Sequence, residues 1–103
     1  MPRRIKKYAN RRLYDTHASH HITLDGIRRL IRDGEDVEVV DDASRDITCG
    51  ILLQVIADQA QDGRPILSAG MLRSIIRFHG NPRQELMARH LETSVETFLS
   101  GCG

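Results

Sequence analysis

The tripeptide Gly80-Asn81-Pro82 splits the second half of this chain into two helical segments, and everything else must accommodate that break. Glycine ends a helix because it takes a left-handed backbone without strain. Asparagine caps the next helix, and proline is favoured at its first position. Before the break, Ser68 is placed to cap a helix carrying Met71, Leu72, Ile75, Ile76 and Phe78. After it, Met87, Leu91, Val95, Phe98 and Leu99 recur on one helical face, with Gln84 at the third position, where it completes a capping box. Two amphipathic helices on one tight turn form a helical hairpin. A hairpin this small is not stable alone. Its apolar faces must pack on the first half, on another subunit or on a hydrophobic ligand. The terminal Ser100-Gly101-Cys102-Gly103 reads as a frayed end.

The first half has a different rhythm. Ile5 to Tyr8 and Leu13-Tyr14 are short extended pieces around a bend at Ala9-Asn10, followed by a turn over Asp15 to Ser19 and a short strand over His21 to Thr23. Thr23 caps a helix with Leu24, Ile27, Leu30 and Ile31 on one face and Arg28, Arg29 and Arg32 outward, closed by a left-handed Gly34. Val37 to Val40 is a β-branched strand, Asp41 to Arg45 a turn, and Ile47 the end of a paired strand. Thr48 caps a second helix with the stripe Ile51, Leu52, Val55, Ile56 and Ala60, ended by Gly63 and Pro65 and followed by a linker of about four residues. The expected fold class is α+β. A module of short strands and two helices spans residues 1–63, and the helical hairpin spans 64–103.

With four aromatic residues in 103 and no Trp, the core must be aliphatic. No apolar run reaches the length of a membrane helix, and no apolar segment follows the basic start, so neither a membrane span nor a secretory signal is expected. Cys49 and Cys102 are far apart and lack metal-ligand spacing, which points to reduced thiols in the cytoplasm.

The net charge of +1 hides an uneven distribution. Six of the fifteen basic residues (Arg3, Arg4, Lys6, Lys7, Arg11 and Arg12) fall in the first twelve positions, with no acid among them. The rest of the chain carries fourteen acids against nine bases, so the sequence reads as a basic arm on an acidic body. Tyr8, Asn10 and Tyr14 are interleaved with the bases. Cations, an amide and phenols together bind phosphates, read base edges and pack on sugars. A solvated tail has no use for Tyr8, Leu13 and Tyr14, which therefore have a packed side; Leu13 is assigned to the core.

Other chemistry is thin. His17, His20 and His21 cluster, but structural zinc sites bring paired ligands from two knuckles and only one cluster is present, so these read as loop and strand histidines with no metal. Gly26, Gly34 and Gly50 are isolated and form no phosphate loop. No nucleophile is paired with a base, so an enzyme is not expected, nor a cofactor.

The run Ile5-Lys6-Lys7-Tyr8-Ala9-Asn10-Arg11-Arg12-Leu13-Tyr14-Asp15-Thr16 resembles the opening signature of the bacterial polyhydroxyalkanoate (PHA) synthesis repressors, which regulate polyhydroxybutyrate (PHB) accumulation. The resemblance continues through Ile22-Thr23-Leu24, Gly34-Glu35-Asp36, Val39-Val40-Asp41 and Asp46-Ile47-Thr48. From Ile66-Leu67 to Phe98-Leu99 it covers the short regulatory repeat that follows in that family. It implies a DNA-binding N-terminal module and a repressor of granule-associated genes, notably phasin genes, that leaves DNA on binding polymer or granules. Arg3, Arg4, Lys6, Lys7, Tyr8, Asn10, Arg11, Arg12 and Tyr14 are then the candidate contacts to double-stranded DNA. Leu72, Ile76, Phe78, Leu91, Phe98 and Leu99 are candidates for binding polymer or for the interface of a homodimer or homotetramer. His21 stands where the family usually has an aromatic, and the sequence ends soon after the repeat, whereas many members run on with a Gln-rich or Pro-rich tail. Two other classes stay open: a granule-coat protein without gene regulation, and an oligomerisation module whose basic arm binds an acidic protein.

Overall fold

Alternation along the first strand sets the architecture. In a strand, successive side chains point to opposite faces. Ile5 is buried between the half-buried Arg3 and Lys7 on one face, and Arg4 and Lys6 take the other. The computed structural model describes residues 2–60, 63 and 65–102. It divides into two units, Met1–Pro65 and Ile66–Gly103. The mixed α+β composition matches the expected class, with one sheet and four helices.

In the first unit, strand β1 (Arg3–Lys7) pairs antiparallel with β2 (Leu13–Asp15), and β2 pairs antiparallel with β3 (His20–Ile22). Helix α1 (Leu24–Arg32) then carries the chain to β4 (Val37–Asp41), which lies parallel to β1, giving the order β3-β2-β1-β4. Helix α2 (Thr48–Ala60) follows. The basic segment is therefore an interior strand of the sheet rather than a free arm.

One face of the sheet is packed. Ile5, Leu13, Val37 and Val39 meet Ile27 of α1 and Ile51 and Val55 of α2, with Ile22, Leu24, Leu30, Ile47 and Leu52 around them. The core is aliphatic throughout, as the scarcity of aromatics requires. Ile31 and Ile56, expected on the buried stripes, are exposed and line a groove between α1 and α2 with Leu52 and Val55. Gly26 leaves room for the Ile22 side chain four residues earlier: a Cβ there would lie 2.6 Å from Ile22 Cγ1.

The caps follow the sequence reading with two corrections. Thr23 accepts the Gly26 N–H at the start of α1. Its end is a Schellman motif: Gly34 (φ +92°) donates to Ile31 O and Glu35 to Leu30 O. Thr48, however, does not cap α2. The helical bonding already starts at Ile47, whose carbonyl accepts the Ile51 N–H. Asp46 does the capping, accepting the Thr48 N–H at 2.9 Å and its hydroxyl at 2.6 Å. Thr48 Oγ1 instead accepts the Val39 N–H at 2.9 Å, closing the open edge of β4. The paired strand expected near Ile47 is a single bridge, Val40 to Asp46. The linker between the halves falls mostly on residues 61, 62 and 64, outside the described residues, and so does the side chain of Ala60.

The second unit is the expected pair of helices, α3 (Ala69–Phe78) and α4 (Gln84–Cys102). Ser68 caps α3 through the Met71 N–H, and Gly80 turns the chain at φ +81°. Asn81 accepts the Arg83 N–H, but the next helix starts only at Gln84, whose Oε1 accepts the Gly80 N–H at 2.6 Å rather than that of Asn81. The C-terminal segment read as frayed is helical through Cys102. Among the described residues of this unit none is buried.

Candidate nucleic-acid interface

The face of the sheet away from the helices carries most of the unusual residues. Register places Lys6 beside Tyr14 and Tyr14 beside His21 across three strands, with Arg4 beside Glu38. The Tyr8 and Tyr14 rings meet edge to face at 6.2 Å and 69°, and the Tyr14 and His21 rings at 5.6 Å and 86°. The Lys6 ammonium lies 5.5 Å from the Tyr8 ring centroid, within cation–π range. A row of three rings flanked by cations thus runs across the strands. His21 completes that row, and the sequence signal for it is that it stands where the family usually has an aromatic.

The row continues into the β1–β2 turn. Tyr8 O accepts the Arg11 N–H at 2.9 Å, Tyr8 N–H donates to Arg12 O at 3.0 Å, and Asn10 Oδ1 accepts the Arg12 N–H at 3.1 Å. Arg11 is held at φ +66° by this network. The Asn10 carbonyl is therefore committed to its own turn, which leaves its NH2 group outward. Arg11 and Arg12 are both exposed.

The nine candidate contacts divide accordingly. Arg4, Lys6, Tyr8 and Tyr14 share the open face, and Asn10, Arg11 and Arg12 form the turn beside it. Lys7 and Arg3 point to the helix side. Arg3 donates through Nε and Nη2 to Asp15 Oδ2 at 3.1 and 2.8 Å, and its Nη1 lies 3.7 Å from Glu35. This guanidinium is engaged inside the fold and does not belong with the exposed cations. Asp15 is 1% exposed and its Oδ1 accepts the N–H groups of His17 and Ala18. Burial works against its charge, but Arg3 and the two backbone donors outweigh that and hold its carboxyl below the usual range. Arg3 is correspondingly raised, first by its hydrogen bonds to Asp15. Arg4 makes a surface pair with Glu38 at 3.2 Å, which an anionic partner can displace at little cost. His20 and His21, adjacent on β3, point to opposite faces, and the His20 ring is bonded to the His21 carbonyl.

The second candidate set is divided too. Phe78 and Leu91 are half-buried and share a cavity of about 180 Å³ with Ile75 and Met87 near the Gly80 turn. Leu72, Ile76, Phe98 and Leu99 lie open, Ile76 and Phe98 at 72% and 71% exposure. Among the described residues no helix is long and apolar enough to cross a membrane.

Two family models match the chain. The first, described as the PHB/PHA accumulation regulator DNA-binding domain, covers residues 4–63. The second, described as the PHB accumulation regulatory domain, covers residues 67–101. The chain is 50% identical over 95 residues to a protein from Thiocystis violacea described as an uncharacterized protein in the phbA 5' region; the match covers 91% of this chain and 69% of that protein. It is 48% identical over 95 residues to an uncharacterized protein from Allochromatium vinosum, covering 91% of this chain and 62% of the relative. No solved structure matches the chain.

Proposed function

Because the chain belongs to the PHB/PHA accumulation regulator family, we propose that it represses genes of PHA synthesis and of granule-associated proteins such as phasins, and leaves DNA on binding the polymer. The family is one of regulators with a DNA-binding domain, not of enzymes. The observation that carries the reading is the open sheet face, where Arg4, Lys6, Tyr8 and Tyr14 adjoin the Arg11-Arg12 turn. The cations neutralise phosphates, and the exposed Arg11-Arg12 turn supplies contacts beside the sheet face. About four to six phosphate contacts give affinity that falls steeply with salt. Subunits associated as a dimer or tetramer present paired turns to paired half-sites. The protein then works in the cytoplasm, between the nucleoid and the granule surface.

A second reading, a granule-coat protein without gene regulation, is favoured by one feature: the exposed apolar side chains of α3 and α4, which suit a polymer surface as well as a subunit. A titration against a labelled phasin-promoter duplex and a scrambled duplex, at two salt concentrations, separates the two. The repressor reading requires preference for the promoter, weakened by salt and by added PHB granules. No binding to either duplex leaves the coat reading.

A further inference from the structure

We propose that the cavity beside the β1–β2 turn binds an aliphatic carboxylate, its head on Lys7 and Arg11 and its chain over the mouth of the core. The cavity measures about 540 Å³ and is lined by Lys7, Arg11, Leu13, Leu24, Ile51 and Gln54. That volume lies in the range of small-molecule sites, and the lining sets three aliphatic residues against two cations and an amide. Leu13, Leu24 and Ile51 belong to the aliphatic cluster or pack directly against it. The two cations stand at the same opening. The residue across from Lys7 on β4 is Asp41, but that carboxylate is taken by the Arg45 guanidinium at 2.8 Å and by the N–H groups of Ala43 and Arg45. Among the described residues neither Lys7 nor Arg11 has an ion-pair partner.

Arg11 adds a second argument. At φ +66° a glycine would sit without strain, yet the position holds an arginine whose side chain lines the cavity. Purely apolar ligands would strip water from both cations without compensation, and a sugar would leave its hydroxyls unpaired against the leucine and isoleucine floor. A carboxylate on an aliphatic chain satisfies both halves. Arg11 also belongs to the proposed DNA set, so an occupied cavity draws it from phosphate. That coupling rests on the DNA reading; the carboxylate site does not.

The test is methyl and amide NMR on the whole chain titrated with octanoate, with octylamine and acetate beside it. Octanoate shifts the methyls of Leu13, Leu24 and Ile51 saturably. Octylamine and acetate bind about tenfold more weakly or worse, each lacking one half of the recognition. Lys7→Gln weakens octanoate about tenfold. Gln54→Trp, on the exposed side of α2, blocks the cavity, leaves affinity for the promoter duplex unchanged and makes it insensitive to octanoate. Equal binding of octylamine, or shifts confined to the α3 and α4 methyls, overturns the site. Octanoate binding there by a protein with no affinity for duplex overturns the DNA reading and leaves the site standing.

Discussion

At the scale of single residues, Asp15 joins the two central strands of the sheet. Its carboxylate ties β2 to β1 through Arg3 and to the following turn through two N–H groups. Asp15→Asn weakens a charge-assisted pair and leaves Arg3 facing a neutral amide, so we expect a loss of about 2 kcal/mol in denaturant unfolding. The same group dictates a pH dependence. Its folded pKa is depressed below the unfolded value, so its contribution is complete above about pH 4 to 5 and vanishes as pH falls through the folded pKa. Asp25, Asp41 and Asp46 are depressed as well: Asp25 first by its Arg28 bond, Asp41 by the Arg45 N–H and Asp46 by the Thr48 hydroxyl. Melting temperatures of the wild type should therefore fall steadily below pH 5, and those of Asp15→Asn less steeply; parallel curves would remove Asp15 from the account. Gly26 is the second special residue. An alanine there forces Ile22 to shift out of the α1–β3 contact, for about 1 to 3 kcal/mol of overpacking. A wild-type melting temperature in Gly26→Ala would show that Ile22 moves freely.

Among the elements, the β1–β2 hairpin is where sequence and structure diverge most instructively. The basic run was legible as charge, and Leu13 was legible as core because a solvated tail has no use for an aliphatic residue among its cations. That the run is an interior strand was not legible, because its pairing partner β4 arrives through a crossover helix some thirty residues later. The alternation it imposes withdraws Arg3 and Lys7 to the helix side and aligns Tyr8, Tyr14 and His21 on the other. Local signals fared better: the Thr23 cap, the left-handed Gly34 and the Ser68 cap each depend on residues within one turn. Thr48 failed because a distant strand edge claimed its hydroxyl, which no local rule anticipates. Arg11→Ala with Arg12→Ala tests the hairpin directly. Both side chains are in solvent, so the fold should be unaffected, while promoter affinity falls by about tenfold or more and the salt slope decreases by about two. Unchanged affinity and slope would move the contact off the turn.

For the whole molecule, the governing fact is a helical unit without an interior. No described residue of Ile66–Gly103 is buried, and Leu72, Ile76, Val95, Phe98 and Leu99 all face solvent. Exposed apolar surface of that extent marks a site of interaction. On the proposed reading, either other subunits or the polymer cover it. If granule and subunit compete for one surface, repression and sensing become a single equilibrium, since ligand shifts the population only by binding one state better. Phe98→Ser with Leu99→Ser separates these roles, because both residues lie on α4 far along the chain from the sheet and neither fills a core. Burying two such side chains contributes about 3 kcal/mol or more per subunit, so losing them weakens association by at least about a hundredfold. We expect sedimentation to show smaller species and promoter affinity to fall with them, while the circular dichroism of the sheet unit is unchanged. If the oligomer persists and PHB granules no longer displace the duplex, these residues belong to the polymer contact, and the subunit interface must be sought on the remaining face of α3 and α4.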